Sequence, residues 1–236
     1  MVSARTTHAR RLFAGLPATY ERVASVLSFG QDPRWRAFLV SRVPADAARV
    51  LDVAAGTGAV TRMAMRPGRH VVALDQSEPM LREAARRVAS AGSAERPAFV
   101  LAQGERLPFP PGTFDAVTFT YLLRYVDDPA EVLRGLVDVV TPGGTIASLE
   151  FGVPPARVWR GAWWLYTRAA LPLVGRLVSR AWFDVGRFLG PSISSYARRY
   201  PLEEQLRMWG KAGVHVTGVR RMSLGGGVVI WGVRAT

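Results

Sequence analysis

Between Arg49 and Asp75 two features stand in register that together can hold a nucleoside. The β-branched run Arg49-Val50-Leu51-Asp52-Val53 reads as a strand and leads into Ala54-Ala55-Gly56-Thr57-Gly58, after which a helical pattern begins at about Ala59. Glycines in such a turn let the backbone approach a ligand, and the helix N-terminus behind them presents N–H groups without intrahelical partners. Thr61 stands where a third glycine would complete the dinucleotide fingerprint, so that motif is incomplete. Asp75 ends the next strand, where a carboxylate can accept both hydroxyls of a ribose. A tight strand-to-helix turn with Asp75 as a helix cap would use the same residues, but the two features in register favour a nucleoside site. Other chemistry is thinly supplied. The chain has no cysteine and three histidines, His8, His70 and His215, so thiolate ligands, disulfides and cysteine nucleophiles are excluded and no metal set is read.

These residues need a scaffold of alternating strands and helices. After the first strand come a strand at His70–Asp75, a helix from Ser77 to Ala89, and runs AFVLA at 98–102 and FDAVTFT at 114–120. A helix from Pro129 to Val140 follows, ended by the Pro142-Gly143-Gly144 turn, and then GTIASLEF at 144–151. Ser77 reads as the N-cap of its helix, and Arg86-Arg87 as a solvated face. This order predicts an α/β fold with a mostly parallel sheet covered on both faces. A Trp- and Arg-rich helical stretch, 158–183, is followed by a loop at 186–196, a helix from Leu202 to Ala212, and two β-like runs whose short connection predicts an antiparallel hairpin at a sheet edge.

Composition bounds the function. The 236 residues are 49% hydrophobic, which excludes a disordered chain and suits one domain with additions. Lys plus Arg number 31 against 18 Asp plus Glu, a formal charge of +13, which calls for an anionic partner such as nucleic acid or a membrane surface to be considered. Lys211 is the single lysine, and such arginine bias resembles the codon bias of a GC-rich genome, which weakens charge as a functional signal. The stretch through Arg5, His8, Arg10 and Arg11 leads into no apolar segment, so no secretory signal is read, and arginines at 157, 160, 168, 176 and 180 interrupt every run that approaches membrane-spanning length. A cytoplasmic protein is expected, with a peripheral position at the inner membrane face left open.

Asp52 inside the first motif, Gly56-x-Gly58 without a third glycine, and Asp75 together resemble a class I S-adenosylmethionine-dependent methyltransferase. The resemblance sharpens elsewhere. Upstream, Phe13, Tyr20-Glu21, Leu27 to Asp32 and Trp35-Arg36, and downstream Glu105-x-Leu107-Pro108-Phe109, Phe114-Asp115, Leu123-Arg124, Pro142 to Gly144, Leu149-Glu150-Phe151, Ser192-Ile193, Tyr200-Pro201 and Gly225 to Gly227, resemble the ubiquinone/menaquinone-biosynthesis C-methyltransferase family in order and spacing. The resemblance implies a Rossmann-like, seven-stranded class I fold with a helical segment at 1–46 covering the active site. A methyltransferase domain at 47–236 would carry a helical cap at about 154–200. It implies S-adenosylmethionine as the cofactor, with Asp52, Ala54 and Gly56, Thr57 and Gly58 around its methionine end and Asp75 at the ribose. Gln103 and Gly104 would lie at the adenine, with Tyr20, Gln76 and Thr120 as further contacts. It implies a quinol acceptor near Tyr125, Tyr166 and Ser192. The family usually has Asp at 103 and Asn at 125, and polar or aromatic residues at 186 and 191, where this chain has Gln, Tyr, Gly and Pro.

Methyl transfer to carbon requires an electron-rich ring carbon held in line with the sulfonium methyl, and a hydroquinone carbon becomes strongly nucleophilic once a neighbouring phenol ionises. Arg124, past the end of the fourth strand, is placed to stabilise a phenolate, or is a structural or capping arginine. Tyr121 and Tyr125 flank it and could pack on a planar ring or belong to the core. Glu150 could be the base or anchor Arg124, and Tyr166 could face the pocket or pack at helical spacing from Trp159 and Trp163. The Trp-Arg helix reads either as a packed cap or as a face lying on anionic lipid. A nucleic-acid methyltransferase is disfavoured, because 119–124 reads Phe-Thr-Tyr-Leu-Leu-Arg without the Pro-Pro that holds a flipped base. A methyltransferase of another phenolic metabolite, a non-catalytic binder on this scaffold and a homodimer remain open.

Overall fold

A computed structural model describes residues 16–92 and 96–236, together with Thr7 and Leu12; Arg5, His8, Arg10, Arg11 and Phe13 lie outside the described residues. The strands are β1 (Arg49–Val53), β2 (His70–Asp75), β3 (Ala98–Leu101), β4 (Phe114–Thr120), β5 (Val140–Phe151), β6 (Val214–Met222) and β7 (Gly227–Arg234). They form one sheet in the order β3-β2-β1-β4-β5-β7-β6. Strands β1 to β5 pair in parallel, and β7 runs antiparallel to both β5 and β6, which places the C-terminal hairpin at the sheet edge. Because β1 and β4 are neighbours while β2 and β3 lie beyond β1, the strand order reverses between β1 and β4. In such sheets the crevice for a ligand opens at that point, beyond the carboxyl ends of the strands.

The described helices are α1 (Tyr20–Leu27), α2 (Gln31–Val40), α3 (Ala59–Ala64), α4 (Glu78–Ser90), α5 (Pro129–Asp138), α6 (Arg157–Leu165), α7 (Leu171–Val178), α8 (Arg180–Arg199) and α9 (Leu202–Lys211). A π-helical turn, Tyr166–Ala170, joins α6 to α7. Apolar periodicity decides which face each buries. On α5, Val132, Leu133, Leu136 and Val137 point into a core shared with Phe119, Ile146 and Trp209, and Asp128 caps the helix by accepting from the N–H groups of Ala130 and Glu131. On the opposite face Trp35 and Leu39 of α2 pack on Ala147, Leu149 and Val229.

Four local expectations are corrected. Residues 186–196 belong to α8 and form no loop. Gly, Ser and Pro there signal a turn by composition, but Val185, Ile193 and Tyr196 are buried at helical spacing, and tertiary packing outweighs the propensities. The Pro142-Gly143-Gly144 segment does not stop α5, which ends at Asp138; it lies within β5, where the pairing with β4 shifts register between Phe114 and Ala116. Ser77 occupies the N-cap position of α4 without a side-chain capping bond. Arg87 is not solvated: it pairs with Glu21 of α1 and Glu83, while Arg86 remains largely exposed.

Candidate active site

The loop from Ala54 to Gly58 crosses the carboxyl end of β1. Gly58 adopts φ +77°, and a Cβ there would stand 3.0 Å from that of Ala84, so the turn closes tightly against α4. Asp75, at the end of β2, accepts from the Gly56 N–H (2.8 Å) and the Ser77 N–H (2.8 Å), one bond on each carboxylate oxygen. Burial raises its pKa, opposed by those N–H groups. Each oxygen keeps further accepting capacity. The loop is latched from above by Glu21, which accepts from Thr57 Oγ1 (2.7 Å) and pairs with Arg62 (2.7 Å) and Arg87 (2.8 Å). This latch brings Tyr20 of α1 over the cavity that Gly56, Asp75, Gln76 and Thr120 also line. Gln76 Oε1 and Ser77 Oγ are buried in its wall without a hydrogen-bond partner.

Beyond β4 the chain turns sharply. Tyr121 has φ +56°, a left-handed conformation costly for a bulky residue, of order 1–3 kcal/mol, which surrounding contacts must hold. They do so on every side. Its ring stacks on Phe151 (centroids 4.1 Å apart, planes 8° apart), its hydroxyl donates to Asp32 Oδ1 (2.6 Å), and the Arg36 and Arg124 guanidinium carbons each lie 5.3 Å from the ring centroid. Burial and then the Asp32 charge push the Tyr121 phenol well above its ordinary pKa. Asp32 also accepts from Arg36 Nε at 2.7 Å.

Arg124 is buried, donating to Glu150 Oε2 (3.3 Å) and to the Tyr125 hydroxyl (2.7 Å), while its Nε has no partner. Glu150 Oε1 accepts the Leu123 N–H, and burial pushes the carboxyl up to about 7 against the opposing Arg124 charge. Tyr20, Tyr121 and Arg124 also border a second cavity of about 240 Å³, whose walls are mainly apolar and come from α1, α2, the π-helical turn, α7 and α8. The first cavity, the more polar of the two, and the apolar one thus meet at two phenols and a guanidinium.

Residues 1–234 match the model of the ubiE/COQ5 methyltransferase family. This chain belongs to that family. Among its relatives, the demethylmenaquinone methyltransferase of Clavibacter sepedonicus is 37% identical over 204 residues, covering 86% of this chain and 82% of the relative. The ubiquinone/menaquinone biosynthesis C-methyltransferase UbiE of Hahella chejuensis is 33% identical, covering 90% and 86%. A SAM-dependent methyltransferase structure from Thermotoga maritima superposes with a TM-score of 0.62 at 17% identity, covering 95% of this chain and 98% of that one, which supports the class I fold.

This ubiE/COQ5-family methyltransferase gathers Tyr20, Ala54, Gly56, Thr57, Asp75, Gln76, Thr120, Tyr121, Arg124 and Tyr125 around the first cavity. Gly58 shapes the loop, Gly104 lines a small annex beside Gln76, and Gln103 lines neither. Asp52 is sealed beneath the loop, accepting from Thr61 Oγ1 (2.6 Å) and Thr118 Oγ1 (3.3 Å). Glu150 stands behind Arg124 and borders neither main cavity. Tyr166 lines the apolar cavity and donates to the Leu27 carbonyl. Ser192 does not line it; Ile193, its neighbour on α8, does. Asp32 and Arg36 carried no assigned role in the sequence reading, although oppositely charged side chains at i and i+4 beside Trp35 and Leu39 were a signal for an ion pair.

Proposed function

We propose that the chain transfers the methyl group of S-adenosylmethionine to a ring carbon of a demethylmenaquinol-like hydroquinone. The observation that carries this reading is the junction, where Tyr20, Tyr121 and Arg124 separate the more polar cavity, bordered by Asp75 and the Gly56 loop, from an apolar one suited to a quinol and the start of its tail. The names of the relatives support the acceptor class.

The polar cavity fits the cofactor. Asp75 offers both oxygens to ribose hydroxyls, the orphaned Gln76 Oε1 and Ser77 Oγ supply unsatisfied polar atoms in the same wall, and Arg36 supplies a buried cation for the methionine carboxylate. When bound, S-adenosylmethionine supplies an electrophilic methyl on a sulfonium. The protein supplies position and electrostatics. Arg124, with an unpartnered Nε–H in a water-poor site, stabilises the phenolate oxygen as it develops; Glu150 and Tyr125 fix its guanidinium. Tyr121 and Phe151 form a flat wall against which a planar ring can lie.

Helices α1 and α2 of the segment 1–46 and the helices of about 154–200 close over this junction as cover and cap, completing a methyltransferase domain at 47–236. No described helix is long and apolar enough to cross a membrane. The α6–α7 face combines exposed Trp159, Trp164 and Leu177 with neighbouring arginines, and this face rests on anionic lipid, beside the cavity that takes the acceptor. Incubation with methyl-labelled S-adenosylmethionine and a demethylmenaquinol analogue tests the reaction, with label expected on a ring carbon. Label on oxygen, or only on unrelated phenols, would overturn the acceptor.

A further inference from the structure

The acceptor's hydroxyl needs a proton acceptor, and Glu150, which the sequence offers either as base or as anchor of Arg124, lies behind Arg124 with its carboxylate engaged by that guanidinium and the Leu123 N–H. Asp32 is the one carboxylate among the described residues lining the apolar cavity, and no histidine lines it. From its position on α2 it meets the junction directly. Tyr121, locked by its stack on Phe151, donates to Oδ1, and Arg36 donates to Oδ2. Both bonds fix the carboxylate's orientation and leave each oxygen a further lone pair.

We propose that Asp32 is the general base of the methyl transfer, held in place by Tyr121; this rests on the hydroquinone reading above. The acceptor's O–H proton passes to Asp32 as the phenolate forms against Arg124. The ring carbon's electron pair forms the new C–C bond while the C–S bond breaks and its pair stays on sulfur. The proton on the methylated carbon is then lost to water as Asp32 returns its own to the oxygen. The hydroquinone and the carboxylate are regenerated, and one proton is released for each methyl moved. No oxidant or reductant is needed.

The groups facing Asp32 are Arg36 on its own helix, Tyr121 after β4, Tyr20 on α1 and, across the Tyr121 ring, Arg124.

The test compares wild type with Asp32→Asn on a demethylmenaquinol analogue across pH, with cofactor affinity measured by calorimetry on the same preparations. General-base catalysis is typically worth roughly 10²- to 10⁴-fold. A loss of that size near neutrality is expected for Asp32→Asn, narrowing as pH rises toward the acceptor's own ionisation and narrowing again with acceptors carrying electron-withdrawing groups. Cofactor binding is retained. Tyr121→Phe is expected to lose less and to keep the wild-type pH profile. A merely structural role predicts a loss that neither pH nor acceptor acidity repairs. An Asp32→Asn variant as active as wild type, or a pH-independent loss, overturns the assignment alone. Wild type inactive on every quinol overturns the function reading and the assignment with it. If Asp32→Asn does not fold, wild type decides: kcat/KM at neutral pH varies shallowly with acceptor acidity if a base assists, and steeply, which would overturn the proposal, if the acceptor ionises unaided.

Discussion

Arg36 donates its Nε–H to Asp32 while lining the polar cavity, and burial, which works against its charge, is more than offset by the Asp32 carboxylate together with the Tyr121 and Tyr20 phenols. If that guanidinium takes the cofactor's carboxylate, Arg36→Met should discriminate between ligands that differ only at that end. A charge-assisted bond is worth about 1.5–3 kcal/mol, so affinity for S-adenosylhomocysteine should fall roughly 10- to 150-fold by titration calorimetry. Methylthioadenosine, which lacks the carboxylate, should bind almost as before, and equal losses for both would place the carboxylate elsewhere. Asp52 presents the opposite economy, a charge without a cation in contact. Burial raises its carboxyl to about 6, against hydrogen bonds from Thr61 and Thr118. A folded-state pKa above the unfolded value means that the native protein binds the extra proton, so this group's contribution to stability falls as pH rises from the ordinary carboxylate range to about 6, and stays low above it. Asp52→Asn keeps an acceptor for the threonines and removes the buried charge. Its melting temperature should exceed that of wild type at pH 8, by an amount reflecting at most ~3 kcal/mol, and the advantage should vanish near pH 4. An advantage independent of pH would mean that folding leaves the Asp52 pKa unchanged.

At the level of elements, the strands were legible because β-branched runs alternate with amphipathic helices, and Asp75 was legible because its place at a strand end has a chemical meaning. What escaped the sequence is held by contacts between distant residues. Tyr121 meets Asp32 across 89 residues, and no local pattern announces that bond. Helix α8 escaped for a related reason: its glycines look like breakers but serve close approach. A Cβ on Gly186 would stand 2.8 Å from Pro172 Cα, and one on Gly175 would stand 2.5 Å from the Trp182 carbonyl oxygen and 2.8 Å from its carbon. The α7–α8 hairpin therefore packs backbone to backbone, and it carries Leu171, Trp182, Val185 and Ile193 into the wall of the apolar cavity. Gly175→Ala must push these helices apart, at a cost of about 1–3 kcal/mol for overpacking. The expected kinetic result is a raised KM for the acceptor with little change in cofactor affinity, since Asp75 and the Gly56 loop belong to the sheet. Raised KM together with equally weakened cofactor binding would show that the hairpin supports the whole site rather than the acceptor's half.

The molecule as a whole has a formal charge of +13, and at an ionic strength of 0.15 M such charge is felt only within about 8 Å, so its placement matters more than its sum. On the α6–α7 face it accompanies apolar side chains that a packed cap would have covered: Trp159 is 50% exposed, Leu173 63% and Leu177 86%, with Arg157, Arg160 and Arg176 on the same two helices. Phe29, 75% exposed, lies in ring contact with Tyr166 at the wall of the apolar cavity, which brings exposed apolar surface to that cavity's edge. An apolar ridge edged by arginines suits an anionic bilayer, with each arginine near the surface worth ~1 kcal/mol and the indole rings at headgroup depth. The protein should therefore co-sediment with phosphatidylglycerol vesicles, should not do so with phosphatidylcholine alone, and should be released progressively by salt. Trp159→Ser with Leu177→Ser should abolish binding to the vesicles while leaving the melting temperature and turnover of a water-soluble, tail-less acceptor unchanged, because these side chains contribute to neither the core nor the junction. For an acceptor embedded in vesicles the same double variant should lose turnover in proportion to its lost binding. If that turnover persists at wild-type levels, the acceptor reaches Asp32 and Arg124 by a route that does not pass through this face.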